Sequence, residues 1–296
     1  MSDAVHRFIF EDLDIRGALV QLGPAWHELQ AVRDYEPAVQ TLLGELAAVT
    51  AIIGSNLKQP GRISFHLRGA GPVRLLVMEC DEQLRIRGLA KTAAAEDAGA
   101  AVPPEPTFSV RELLGDGQLV LTLQTNARAE HPYQSYVPLE GDSLAAIFEH
   151  YLTQSEQAPA RLWLMADEHQ ACGLFLQKLP DSHGADARDP DGWNRIQHLA
   201  ATLKPGELAL PPETLLTRIF PDEAVRLFEP LPVSHHCPRD EAKVIEMLRT
   251  LGREEVEAAL ADTGAISIHD DICNHEYRFG REVLAHLFDD PGHTLH

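Results

Sequence analysis

The segment ISFHLRGAGPVRLLVMEC, residues 63–80, contains two runs in which apolar and polar residues alternate. Alternation with a period of two is typical of half-buried β-strands. The two runs are separated by Gly69-Ala70-Gly71-Pro72, and clusters of Gly and Pro favour turns. The segment therefore predicts a β-hairpin, with one strand within Arg62–Arg68 and the other over Val73–Cys80.

The glycines of this turn do not form a dinucleotide-binding fingerprint. That motif needs a third glycine and the start of a helix at fixed positions after the strand. Pro72 and Arg74 follow the turn instead. We therefore expect no nucleotide cofactor at this turn.

The surrounding sequence predicts an α+β fold. Ile15–Leu22 has the pattern of a strand, and residues 36–57 have apolar residues at helical spacing. Strands and helices do not follow one another in a regular βαβ order, which argues against a doubly wound parallel sheet. We predict an N-terminal core domain of mixed sheet and helix over residues 1–180.

Residues 181–230 are predicted to be a helical linker. The stretch from Pro180 to Gly192 is rich in Asp, Gly and Pro, as linkers are. Two short helices are predicted after it, over Trp193–Lys204 and Pro212–Phe220. Short helices are marginal without tertiary packing, so these helices must pack on a neighbour or unfold easily.

Residues 231–290 are predicted to form a small C-terminal α+β domain. Two charged, amphipathic helices are expected over Arg239–Leu251 and Arg253–Ala261, followed by a hairpin from Ala265–His269 and Glu276–Phe279. A domain of about sixty residues has little core, so a metal ion or a covalent cross-link is expected to stabilise it.

Composition limits the partners and the compartment. The 296 residues carry a net charge of −20, which disfavours nucleic acid as a partner. The start of the chain lacks the basic and apolar segments of a signal peptide, and no uncharged apolar run approaches the roughly 18 residues of a membrane span. We therefore expect a cytoplasmic protein without a membrane partner. Four cysteines in a chain of this length are not a disulfide framework.

Two of the four cysteines lie within clusters of residues that can bind zinc. The residues around Cys237 and Cys273 include His235, His236, His269, Asp270, Asp271 and His275. Two such clusters some 35 residues apart have the spacing of a structural zinc site. Spacing alone does not distinguish a zinc site from the alternative, in which two isolated cysteines lie near surface histidines. Cys80 and Cys172 lie in apolar strand patterns and are expected in the core.

The sequence does not favour an enzyme. Cys237 beside His235 and His236 could be read as a nucleophile and its base, but adjacent side chains rarely point at one another, and no Gly-rich turn follows. The acidic residues of 254–257 lie on a highly charged helix and are expected to face solvent. We therefore predict no catalytic residues.

Several blocks carry a resemblance to a known family. They are LRGAGP (67–72), YQSYVPLEGD (133–142), YLTQSEQ (151–157), ACGLFLQKLP (171–180) and CNHEYRF (273–279). In this combination the chain resembles the heat-shock protein 33 family, the bacterial 33 kDa chaperonins, over nearly its full length. The resemblance implies an ATP-independent holdase that binds unfolded proteins under stress and forms a homodimer when active.

The resemblance also implies a regulatory mechanism. In the family, zinc is bound by a C-x-C pair and a C-x-x-C pair in a C-terminal switch domain. Oxidation of these thiols releases zinc, unfolds the switch and the linker, and exposes apolar surface to clients. No motif in this chain indicates which residues bind clients.

This chain departs from the family at the zinc site. Aligning Cys237 with the second cysteine of the C-x-C pair puts His235 in place of the first. Aligning Cys273 with the second cysteine of the C-x-x-C pair puts Asp270 in place of the other. The predicted zinc ligands are therefore His235, Cys237, Asp270 and Cys273, with His236 and His269 as alternatives.

The same departure changes the redox chemistry that the resemblance implies. Cys237 and Cys273 are the remaining redox-switch residues, and one disulfide between them is the bond that oxidation can form in this domain. A regulatory or scaffolding protein that binds one dedicated partner is the alternative to a holdase.

Overall fold

The computed structural model describes residues 3–31, 33–93, 109–125, 132–180 and 188–288. The chain divides into two compact units, Met1–His236 and Cys237–His296. Both combine helices with antiparallel strands, which confirms the predicted α+β class.

The first unit contains two sheets. Their strands are β1 Ala4–Phe10, β2 Ile15–Leu22, β3 Gly61–Arg68, β4 Val73–Cys80, β5 Arg85–Thr92, β6 Gln118–Thr125, β7 Tyr133–Val137, β8 Ala160–Ala166, β9 Ala171–Lys178, β10 Val225–Leu227, β11 Leu231–Pro232 and β12 Ser234–His235. Sheet 1 has the order β10-β1-β2-β9-β8, with β11 also paired to β1. Sheet 2 has the order β12-β5-β4-β3-β6-β7. The predicted hairpin is the antiparallel pair β3–β4 at the centre of sheet 2.

Helices connect and cover these sheets. They are α1 Pro24–Gln30, α2 Pro37–Ser55, α3 Val110–Leu114, α4 Leu144–Glu156, α5 Gly192–Ala200, a 3₁₀ helix over Pro205–Ala209, and α6 Pro212–Ile219. The second unit contains α7 Glu241–Leu251, α8 Arg253–Thr263, the hairpin β13 Ile266–Asp270 with β14 His275–Phe279, and α9 Val283–Phe288.

Helix α2 forms the main core of the first unit. It packs against strands of both sheets, and its apolar residues from Ala38 to Ile52 are buried nearly all round. A Cβ added to Gly44 would lie 2.5 Å from the Cβ of Ala166, so glycine permits the close approach of helix and sheet. Among the described residues, α2 is the one helix long and apolar enough to cross a membrane, although the sequence suggested no such segment. It is 67% buried inside the molecule, as a core helix is.

A second apolar core lies on the other face of sheet 1. We call α5, the 3₁₀ helix and α6 the linker helices. Their buried residues pack against apolar side chains of β1, β2 and β9, and the cluster includes Phe8, Phe10, Leu19, Leu174, Leu176, Ile196, Ala200, Leu208, Leu215, Leu216, Ile219 and Phe220. The linker helices are therefore part of the first unit's packing.

Two features of the linker differ from the sequence-based expectations. Helix α5 ends at Ala200, four residues before the predicted Lys204. Lys204 itself is not helical, since it has ψ 143° and the following Pro205 favours an extended conformation there. The compact first unit extends to His236, because β10 and β11 pair with β1 and β12 pairs with β5. Most of the predicted Asp-, Gly- and Pro-rich break, residues 181–187, lies outside the described residues.

The second unit has a small core of its own. The buried residues are Leu248, Val256, Leu260, Tyr277, Phe279, Val283 and Leu287. Helices α7 and α8 and the two strands of the hairpin begin and end within two residues of the predicted bounds, whereas α9 is an additional helix. Asp240 caps α7 by accepting a hydrogen bond from the amide of Lys243 at 3.0 Å.

The carboxyl group of Glu45 in α2 gives a test of this core. Burial raises its pKa from 4.5 to about 7. A pKa raised in the folded state means that the folded protein binds the proton more tightly, so stability is lost as the pH rises from about 4.5 to about 7. We expect Glu45→Gln to increase the free energy of unfolding by about 3 kcal/mol at pH 8 and by almost nothing at pH 4.

Urea unfolding at both pH values measures this difference. Glu168→Gln, at a carboxyl group with 72% of its side chain exposed, is the matched control and should change stability little at either pH. Equal effects of Glu45→Gln at pH 4 and pH 8 would contradict the raised pKa of Glu45.

Candidate metal and redox site

Cys237 and Cys273 form a disulfide in the second unit. Their Cα atoms are 5.4 Å apart, and 36 positions separate them in sequence. The bond joins the segment before α7 to the turn between β13 and β14. The pairing predicted from the sequence is therefore confirmed. Both sulfurs belong to one compact unit.

Tyr277 of β14 positions the segment that carries Cys237. The Tyr277 hydroxyl accepts a hydrogen bond from the amide of Asp240 at 2.9 Å. The guanidinium of Arg239 lies over the Tyr277 ring, 5.0 Å from its centre, in cation–π geometry. These contacts hold residues directly after Cys237 against the hairpin. Cys237 is thus brought towards Cys273 by noncovalent interactions as well as by the disulfide.

The turn that carries Cys273 is shaped by Asp270. The Oδ1 atom of Asp270 accepts hydrogen bonds from the amides of Ile272 at 3.0 Å and of Cys273 at 3.3 Å. An Asp side chain that binds the backbone two residues later is a common turn-forming device. Asn274 has a φ of 54°, in the left-handed region that Asn tolerates. The turn buries Cys273, which is 2% exposed.

His275 completes a group of three metal-ligating side chains. It lies opposite Asp270 in the β13–β14 register. One ligand atom each from Asp270, Cys273 and His275 lie within 4.8 Å of one another. The His275 Nδ1 atom is buried and has no hydrogen-bond partner within the part of the chain that the structure describes. A buried imidazole nitrogen without a partner, next to a cysteine and a carboxylate, fits the donor set that zinc binds.

Three of the four predicted ligands, Cys237, Asp270 and Cys273, thus lie in the same hairpin region. The fourth, His235, lies in the first unit on β12, where it pairs with Ile86 of β5. Its Nδ1 atom is 3.8 Å from a carboxylate oxygen of Glu28. Burial lowers the pKa of His235, against the opposing effect of Glu28. Its assignment as a zinc ligand stays a prediction.

The alternative ligand His269 lies on the exposed face of the hairpin. Side chains alternate along a strand, so His269 and its neighbour Asp270 point to opposite faces. The His269 Nε2 atom is 3.8 Å from a carboxylate oxygen of Asp271, and about half of its side chain is exposed. In sequence, His275 belongs to the cluster around Cys273, but the alignment with the family selects Asp270 as the ligand there. His275 is identified as a possible ligand by its pairing with Asp270 across the hairpin. This pairing can be predicted only when the position of the turn is known.

The other two cysteines belong to the core, as predicted. Cys80 and Cys172 are free and buried. Burial raises the pKa of each thiol to about 12, so neither forms a reactive thiolate near neutral pH.

The disulfide and a metal ion are alternative occupants of this site. A cysteine binds zinc as a thiolate, whereas the disulfide uses both sulfurs in a covalent bond. The structure therefore corresponds to the oxidised state of the site. Reduction would supply two thiolates beside Asp270 and His275.

Comparison with known proteins supports the resemblance in the sequence. A family model described as Hsp33 protein matches residues 3–280. A 33 kDa chaperonin of Nitrosococcus oceani is 40% identical over 289 residues, which cover 97% of this chain and 95% of that protein. A 33 kDa chaperonin of Vibrio cholerae is 36% identical and is covered to 99% of its length by the whole of this chain.

The solved structures show the same fold. The crystal structure of the Hsp33 homolog of Thermotoga maritima superposes with a TM-score of 0.77 and 20% identity, covering 98% of both chains. The family model and the chaperonin relatives both extend over nearly the full length of the sequence. The chain therefore belongs to the Hsp33 family of chaperones.

Proposed function

We propose that this chaperone is an ATP-independent holdase, which binds unfolded proteins in the cytoplasm and keeps them from aggregating. The observation that carries the proposal is the second apolar core of the first unit. There, short helices cover an otherwise continuous apolar face of sheet 1. Membership of a family of chaperones and not of enzymes agrees with this role.

The linker helices are suited to leave sheet 1. They contain nine, five and eight residues, which is too short for stable isolated helices. Helices α5 and α6 each bury one apolar stripe and expose polar residues on the other side. When they leave, Phe8, Leu19 and Leu174 on the strands become accessible together with the apolar stripes of the helices. Large exposed apolar patches bind proteins with little sequence preference.

We propose that the reduced site binds a zinc ion. Cys237 and Cys273 would supply thiolates, Asp270 a carboxylate oxygen and His275 an imidazole nitrogen. Bound zinc would stabilise the second unit as a noncovalent cross-link, because its small core gives limited stability alone. The set with His235 instead of His275 is the one that the family alignment implies.

Oxidation is proposed to stabilise the second unit. Two thiols give up two electrons and two protons to one hydrogen peroxide, which yields one disulfide and two water molecules. The disulfide closes a loop with a sequence separation of 36 that contains α7, α8 and β13. The chain-entropy model gives such a loop about 4 kcal/mol of stabilisation. This is the opposite of the unfolding on oxidation that the family resemblance implies.

The first test concerns holdase activity. We expect the reduced protein, without ATP and without peroxide, to suppress the aggregation of a heat-denatured protein to which it has no relation. Light scattering with two unrelated clients measures the effect. A dedicated binding protein would fail with both clients, and a requirement for ATP would contradict the proposed class of chaperone.

The second test concerns the disulfide. We expect peroxide to increase the urea stability of the second unit by up to about 4 kcal/mol, to slow its proteolysis, and to leave holdase activity unchanged or lower. A peptide pair that joins Cys237 to Cys273 should appear under non-reducing mass spectrometry. Cys237→Ser should abolish the effect, while Cys80→Val, at a buried thiol outside the site, should retain it. Peroxide-induced unfolding of residues after 237 with a gain of activity would contradict the proposal.

The third test identifies the zinc ligands. In the reduced protein we expect His275→Ala to weaken zinc binding by more than about 100-fold, since loss of a ligand should cost at least as much as loss of an outer-shell partner. His269→Ala, on the exposed face of the same hairpin, is the matched control and should bind zinc normally. Competition with a chromophoric chelator measures the affinity. A large loss in His235→Ala together with no loss in His275→Ala would support the alternative ligand set.

A further inference from the structure

One buried polar side chain connects sheet 1 to the linker helices. Gln21, on β2, is 4% exposed and lies within the apolar surface that the linker helices cover. Its Nε2 group donates hydrogen bonds to the carbonyl oxygens of Leu208 and Leu210, each at 2.7 Å. Leu208 is in the 3₁₀ helix, and Leu210 is the residue that ends it.

Gln21 is held in place by the sheet itself. Strand β2 lies between β1 and β9, and the backbone of Gln21 is paired with Ala4 on one side and Cys172 on the other. The neighbouring side chain on the same face, Leu19, is fully buried in the second apolar core. The amide group is therefore presented from a central, rigid strand. The two carbonyl groups it binds belong to the segment that we propose to move.

The chemistry of this contact gives it a role that apolar packing lacks. Apolar contacts are non-directional, so they favour the burial of a helix without fixing its register. A carboxamide NH₂ has two donors, and two carbonyl groups satisfy both of them. A buried polar group without a partner costs roughly 1 to 3 kcal/mol, so replacing Gln21 by an apolar residue would penalise the docked position by leaving the Leu208 and Leu210 carbonyl groups without this donor.

The other polar contacts of this region are more exposed. Arg195 binds Asp189 and Glu223, and Arg218 binds Glu207, all within residues 188–224. Arg161 of β8 does reach α5, where its Nε donates to Gln197 at 2.9 Å, but this contact is exposed to solvent. Exposed polar pairs contribute little to stability. Gln21 differs from them because it is only 4% exposed and its hydrogen bond to Leu208 is buried.

We propose that Gln21 is a positioning residue that holds the linker helices on sheet 1 in their docked, client-free state. It does so by binding two backbone carbonyl groups of the 3₁₀ helix, so that undocking breaks both bonds at once. The consequence for activity rests on the proposed function, in which undocking exposes the client-binding surface.

The test uses hydrogen exchange in the full-length oxidised protein. Gln21→Met keeps the length of the side chain but removes its donors. We expect the backbone amides of residues 205–220 to exchange at least about tenfold faster in this variant, while those of β2 and β9 change little. Gln21→Asn keeps the amide on a shorter side chain that cannot reach the carbonyls, and it should have the same effect.

Thr50→Val is the matched control. Thr50 is also buried, and its hydroxyl donates to the Leu46 carbonyl within α2, at 2.6 Å, in the other core. This variant should alter overall stability without selective exchange in residues 205–220. If exchange in this segment rises no more in Gln21→Met than in Thr50→Val, the proposal is overturned.

Holdase activity separates this proposal from the proposed function. Faster exchange together with greater suppression of client aggregation supports both. Faster exchange without any change in suppression supports the role of Gln21 and contradicts the proposed client-binding surface.

Discussion

Sheet 1 has two apolar faces, and both must be covered. Seven of the eight residues are buried in β9 and likewise in β2, so neither face of these central strands can be left in water. Helix α2 covers one face and is also packed against sheet 2, which makes it a permanent part of the core. The other face is covered by three short helices with one sheet to pack on. The two faces are chemically alike, but one is covered by a long helix shared with sheet 2 and the other by three short helices.

This difference connects the fold to the proposed holdase function. A chaperone of this kind needs apolar surface that is available to clients yet covered when none are present. Short helices meet that requirement because their stability comes almost entirely from docking. The two hydrogen bonds of the buried Gln21 side chain add direction to docking that otherwise depends mainly on apolar contact. The C-terminal unit also has a small core, and the disulfide between Cys237 and Cys273 cross-links it.

Local sequence signals predicted much of this structure. The alternation around residues 63–80 identified the β3–β4 hairpin, the helical spacing in residues 36–57 identified α2, and proline positions identified both ends of α6. The strands β10, β11 and β12 were missed, because each has two or three residues and forms only through pairing with β1 or β5. His275 was not chosen as a ligand because its proximity to Asp270 depends on the register of a hairpin. Gln21 carried no signal at all, since its partners are backbone groups 187 and 189 residues away.

In the proposed function, clients bind the surface that the linker helices cover. Hydrogen exchange of the chaperone in complex with an unfolded client measures this, with the client-free protein as reference. We expect residues 192–219 to lose protection on client binding, while the amides of β2 and β9 stay protected within sheet 1. Client binding with full protection of residues 192–219 would show that clients bind elsewhere.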